Sequence, residues 1–133
     1  MNFVEQIVQF TTQADADDVF SIPLATALGP MALVEVMVRV TAVAGSPTAV
    51  TLDVDITDGT VTRAAIAAQS IGTAAGTVRL TPTASDQESG NHIADQEDSG
   101  ATSPAYWRAD IDFNFTAGTS PTVTGWAVLR WAV

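Results

Sequence analysis

The sequence predicts an all-β fold, an antiparallel β-sandwich or jelly roll of about eight strands, in a single domain over residues 1–133. Three observations carry this. Apolar and polar residues alternate at period two from Ala32 to Thr57 and again from Ala105 to Val133, as in strands with one face in a core. Turn signals built on Gly and Pro recur roughly every 8 to 15 residues, the rhythm of short strands wound into two layers. Between the alternating regions, Ser85–Pro104 (SDQESGNHIADQEDSGATSP) carries five acids and one substantial apolar residue, Ile93, and is expected to be a long loop.

Taken in order, Phe3–Phe10 is apolar at Phe3, Val4, Ile7, Val8 and Phe10, which fits a strand with a bulge or a short helix; we read a strand. Thr11–Asp18 is polar and acidic, a loop. Val19–Leu24 gives a short strand broken by Pro23, which suits a sheet edge. Gly29-Pro30 turns the chain into the first long alternation. There Val34, Val36, Val38 and Val40 share one face, and Val50, Leu52, Val54 and Ile56 share another. With Gly45, Ser46 and Pro47 as a loop, the two arms form a hairpin in which Val40 faces Leu52, Val38 faces Val54, and Arg39 stands opposite Asp53.

Asp58-Gly59 is a strong turn dipeptide. The alanine-rich stretch after it reads as a helix ending near Gly72 or as a strand over Val61–Ser70; its strand neighbours favour the strand. Thr77–Thr83 alternates and is ended by Pro82. From Ala105 to Phe115, Trp107, Ala109, Ile111, Phe113 and Phe115 point inward. In Thr122–Val133, Val123, Leu129, Trp131 and Val133 take one side and Thr124, Trp126, Val128 and Arg130 the other. A second hairpin through Thr119, Ser120 and Pro121 sets Asp110 opposite Arg130, whereas a shift of two would oppose Arg108 and Arg130. The two turns resemble each other, AGSPTAVT and AGTSPTVT.

Composition excludes several functions. Fifteen acids against five bases, all arginine, give a formal charge of −10, which disfavours nucleic acid and anionic membrane as partners. Apolar runs are strand-length, far below the roughly 20 residues of a spanning helix. With no cysteine there is no disulfide and no thiolate metal site. The start, MNFVEQIVQF, lacks the pattern of a secretory signal, so the chain is expected to stay where it is made or to derive from a trimmed precursor.

No cofactor or catalytic set is expected. The single histidine, His92, lies in the acidic loop, where a rigidly oriented imidazole is hard to supply. There is no phosphate-binding glycine loop and no zinc spacing. Three acidic groups are candidates for calcium: Asp53, Asp55 and Asp58; Asp110, Asp112 and Asn114; and Asp15, Asp17 and Asp18. The first lacks the distal glutamate of a calcium loop. The second lies mid-strand, where outward carboxylates stand about 7 Å apart. A solvated polar face is the preferred reading for each.

The informative anomaly is apolar side chains on the outward side. Trp126 and Val128, beside Arg130, oppose the Leu129–Trp131 face, with Tyr106 outward on the neighbouring strand; Leu33 and Met37 oppose the valine face. Aromatics next to arginine are what protein interfaces enrich, so these six residues are the interface candidates. Cover by another segment of the same chain, and a sugar-stacking platform, are the alternatives.

A small, acidic, cysteine- and lysine-free sandwich rich in Ala, Thr, Val and Gly, with no signal and no catalytic set, resembles the auxiliary capsid proteins of tailed bacteriophages, called decoration or cement proteins. The resemblance is one of whole-chain style and carries no residue motif. It implies synthesis in a host cytoplasm, a place on the outer capsid surface, contact with the major capsid protein or other virion proteins, and a homo-oligomer, commonly a trimer. The alternative from another class is a carbohydrate-binding or adhesin-type module in which Tyr106 and Trp126 stack on sugar rings and the 85–104 loop shapes specificity.

Overall fold

A computed structural model describes residues 2–13, 20–23, 31–57, 62–82, 93–94 and 108–132. These form nine strands: β1 (Phe3–Gln13), β2 (Phe20–Pro23), β3 (Met31–Ala44), β4 (Ala49–Thr57), β5 (Thr62–Ser70), β6 (Gly76–Leu80), β7 (Ile93–Ala94), β8 (Arg108–Thr116) and β9 (Thr122–Ala132). No helix occurs among the described residues. Sheet A has the order β1-β9-β3-β6, with β7 pairing to β3, and sheet B has the order β2-β8-β4-β5. The pairs β4·β5, β3·β6, β2·β8 and β1·β9 nest about the β4–β5 connection, as in one long ribbon folded back on itself. Rolling that ribbon lays β9 on β3 and β8 on β4, which is the topology of a jelly roll.

The expected strands are present among the described residues, and β1 runs on through Thr11–Gln13, part of the stretch expected as a loop. β2 is an edge strand, so Pro23 removes no ladder bond from the interior. The alanine-rich segment is β5, pairing with β4. Its helix propensity is overridden by burial of Ala65 and Ile66. A bulge in β5 puts Ala68 at φ 47°, and Asp53 holds it, accepting from Ala68 N at 2.7 Å while Asn114 Nδ2 donates to its other oxygen at 2.7 Å. The 85–104 segment contributes β7 and otherwise lies outside the described residues, as do His92, Tyr106, Trp107, Asp58 and Asp15–Asp18.

The core lies between the sheets. Val50, Leu52, Val54 and Ile56 from β4, Ala109, Ile111 and Phe113 from β8, and Val123, Leu129 and Trp131 from β9 are buried as the alternation predicts. Phe10 and Phe113 join the layers, with ring centroids 4.5 Å apart and tilted by 42°. In β3 the pattern departs from expectation. A bulge between Leu33 and Glu35 turns Leu33 inward with Val36, Val38 and Val40, and leaves Val34 outside. Leu33 is 2% exposed and packed in the core, so it is not an interface residue.

Neither predicted hairpin forms. β3 and β4 belong to opposite sheets, as do β8 and β9, so each turn is an arch across the sandwich. Arg39 stands opposite Trp126 and Thr77 on sheet A, while Asp53 is on sheet B opposite Asp112. Asp110 is opposite Asp55, and Arg130 is opposite Glu5 and Glu35. The resemblance of the two turns has a structural counterpart: they lie side by side. Thr119 N donates to Gly45 O and Thr48 N to Thr116 O, each at 2.8 Å. Gly45 and Gly118 both have positive φ. A Cβ on Gly118 would stand 2.7 Å from Gly45 O, and one on Gly45 would stand 2.6 Å from Pro121 Cα.

Candidate functional site

Four of the six interface candidates converge on the outer face of sheet A, because β9 and β3 pair in its centre. Cross-strand partners set three rows there: Glu5, Arg130 and Glu35; Ile7, Val128, Met37 and Arg79; Gln9, Trp126, Arg39 and Thr77. Ile7 is 71% exposed and Phe3 44%, the two most exposed large apolar side chains among the described residues. Trp126, Val128 and Met37 are half-buried by their lateral neighbours. Leu33 is in the core, and Tyr106 lies outside the described residues.

Charged groups frame this apolar band. Arg79 Nη1 bonds Glu35 Oε1 at 2.6 Å, and Arg39 Nη1 donates to Thr77 Oγ1 at 3.0 Å. The Arg130 guanidinium lies over the Phe3 ring at 4.1 Å, with its Nε 3.9 Å from Glu5 Oε1. Arg130 Nε is screened from solvent and has no hydrogen-bond acceptor among the described residues. Three arginines and two glutamates thus sit on this face, in a chain whose net charge is −10. Toward one end, Gly125 floors a shallow groove lined by Gln9, Thr11, Thr41, Thr124 and Trp126.

The opposite face is acidic. On sheet B, Asp53 stands against Asp112 and Asp55 against Asp110, so β4·β8 pairing gathers two of the acidic groups. Arg108 Nε pairs with Asp110 at 3.1 Å. Like charges directly opposite one another destabilise a sheet. Among the described residues, no group of three or more His, Asp or Glu side chains is arranged to hold a metal ion. Partial burial, then the carboxylates of Asp53, Asp110 and Asp112, raise the Asp55 carboxyl above its ordinary value of 3.8.

A raised carboxyl means that the folded state binds more protons than the unfolded state between the ordinary and the raised value. Asp55 therefore costs stability as pH rises through that window, and the cost is fully present above it. Asp55→Asn is expected to raise stability at neutral pH by about 0.5 kcal/mol, since the group is partly solvated. Below the ordinary aspartate range the gain disappears. Urea melts of both chains at acid and neutral pH measure this, and equal pH profiles would contradict it.

Phe3, Glu5, Ile7, Glu35 and Arg79 are parts of this face that sequence reading does not single out. A signal exists: Phe3 and Ile7 share parity with Glu5 and Gln9, as the outer side of a strand requires. Val4, Val8 and Phe10 on the other parity hide it.

No family model matches the chain, and no curated protein does. Two solved structures of infectious bursal disease virus each contain a chain to which this one is similar. For the Gx strain the TM-score is 0.44 at 13% identity, over 98% of this chain and 33% of that one; for the Gt strain it is 0.41 at 13% identity, over 97% and 32%. This chain thus spans about a third of the length of the chains it matches.

Proposed function

We propose that the protein is a non-enzymatic virion structural protein, a decoration or cement protein on the outer surface of a phage capsid. It acts through protein–protein contacts made by the outer face of sheet A. The observation that carries this reading is that face. Exposed Phe3 and Ile7, half-buried Trp126, Val128 and Met37, and arginines paired with glutamates make the apolar centre and charged rim of an interface. Jelly rolls occur in viral capsids, which supports the reading, though they also occur in lectins and cupins.

The mechanism is mechanical. Burying the apolar band against a neighbouring copy of the chain on the shell adds binding free energy that a pressurised shell must overcome before it ruptures. The strongly acidic remainder of the molecule suits an outward position, away from packaged nucleic acid.

A carbohydrate-binding module is the second reading, favoured by one observation. The groove beside Trp126 combines an aromatic ring with the amide of Gln9 and the hydroxyls of Thr11, Thr41 and Thr124.

The deciding experiment adds the chain to shells of the particle encoded by the neighbouring genes, sediments them, and screens the same protein on a glycan array. Co-sedimentation with a higher rupture temperature, and no glycan binder, is the expected result. A glycan hit with no shell binding overturns the proposal.

A further inference from the structure

We infer that the outer face of sheet A pairs with the same face of a second copy about a two-fold axis that runs along the strands between β9 and β3. The inference rests on reading this face as an assembly surface and names its occupant.

Such an axis reverses the strand order, so that β9 of one copy lies over β3 of the other and β1 over β6. Each row of the face is complementary to its own reversal. Arg130 meets the second copy's Glu35, Val128 meets its Met37, and Trp126 meets its Arg39, so that an ion pair, an apolar contact and a guanidinium over an indole lie in consecutive rows. At the margin, Ile7 lies over the stem of the second copy's Arg79. The charged heads run Glu5, Arg130, Glu35, Arg79 across the four strands, and this alternation of sign maps onto its opposite under the same axis.

One further observation calls for a partner here: Ile7, at 71% exposed, has no apolar cover among the described residues of the subunit. The size is adequate. Four strands at ~4.8 Å spacing and about nine residues of length give about 600 Å² per copy and about 1,200 Å² per pair, at the lower edge of specific interfaces. The acidic outer face of sheet B, with Asp53, Asp55, Asp110 and Asp112, is not complementary to itself and remains outside the pair.

The test is the solution mass of the intact chain by light scattering at micromolar concentration. The wild type is expected to have the mass of two chains and Val128→Glu that of one, with a circular dichroism spectrum unchanged. Val128→Glu combined with Met37→Arg restores the double mass, because the introduced carboxylate then faces the introduced guanidinium of the second copy. If Val128→Glu does not fold, Glu35→Arg is the second variant: it sets like charges against Arg130 and halves the mass, and Glu35→Arg with Arg130→Glu restores it. A wild-type mass of one or three chains, or a Val128→Glu mass of two, overturns the pairing. A single-chain wild type whose shell co-sedimentation is nevertheless abolished by Val128→Glu overturns the pairing alone and leaves the assembly reading standing.

Discussion

Replacing Gly125 by alanine is expected to destabilise the domain by about 3 kcal/mol, read as the shift of the urea midpoint. Gly125 lies in β9, inside sheet A, between Phe10 of β1 and Val40 of β3. β3 carries an irregularity there, between Val40 and Ala42, and Thr41 Oγ1 donates to Thr124 O at 3.0 Å. A Cβ on Gly125 would overlap the carbonyl oxygen of Arg39 and stand 3.1 Å from Val40 Cα. Both obstacles are backbone, so no side-chain rotation relieves the overlap. Either β3 and β9 separate locally or the bulge is rebuilt. Gly76→Ala is the control, since a Cβ there meets nothing within 4 Å, and its midpoint should be unchanged.

Trp131→Ala should cost about 3–5 kcal/mol, the range for emptying a large aromatic site in a core. Trp131 is fully buried, flanked across the strands by Val4 and Leu33, and its Nε1 donates to Gln6 Oε1 at 2.9 Å. The loss is therefore twofold: an unfilled volume and a glutamine deprived of one donor on the inner side of an edge strand. Trp131→Phe separates the two parts. It keeps most of the apolar contact, removes the indole N–H, and is expected to cost about 1–3 kcal/mol. Circular dichroism should follow these melts, because the substitutions change the fluorescence signal itself. A loss below about 1 kcal/mol for Trp131→Ala would contradict the packing described here.

Period-two alternation reports which side of a strand meets the core, and on that point the sequence is legible. Val50 to Ile56, Ala109 to Phe113 and Val123 to Trp131 lie as expected. Alternation does not report which strand lies alongside. A hairpin and an arch across a sandwich both place the valines of their two arms on the core side, so the β3–β4 and β8–β9 segments fit either. Opposite charges on the two arms fit either arrangement as well. Arg39 and Asp53 both point outward, but on opposite sides of the molecule. Pairings such as β1·β9, which joins Phe3 to Ala132, bridge nearly the whole chain and leave no local trace.

The site is legible to a similar degree. Trp126, Val128, Arg130 and Met37 stand out in the sequence as a set of apolar outward positions with an arginine beside them, and the structure adds that β9·β3 pairing makes them one patch. Leu33 is misplaced by parity alone because a bulge inserts one residue and reverses the parity of everything before it, which no composition signal marks. The acidic face of sheet B is visible in the sequence only as separate clusters. Its cross-strand pairs Asp53·Asp112 and Asp55·Asp110 depend on β4·β8 register, set by contacts about 60 residues apart.

These features assign opposite roles to the two outer faces. Sheet B presents like charges to solvent and accepts the repulsion at Asp55. Sheet A concentrates the exposed apolar area and three of the five arginines. A surface divided in this way favours association through one side and solubility through the other.

The most direct test of sheet A as an assembly surface uses the absence of cysteine from the chain. Ile7→Cys places a single thiol on the outer face of β1, and its rate of modification by a soluble maleimide is measured in dilute protein and under assembling conditions. The rate should be that of an open thiol when dilute and fall at least tenfold on assembly. Equal rates under both conditions, in a sample whose mass shows that assembly has occurred, would contradict the assignment of this face.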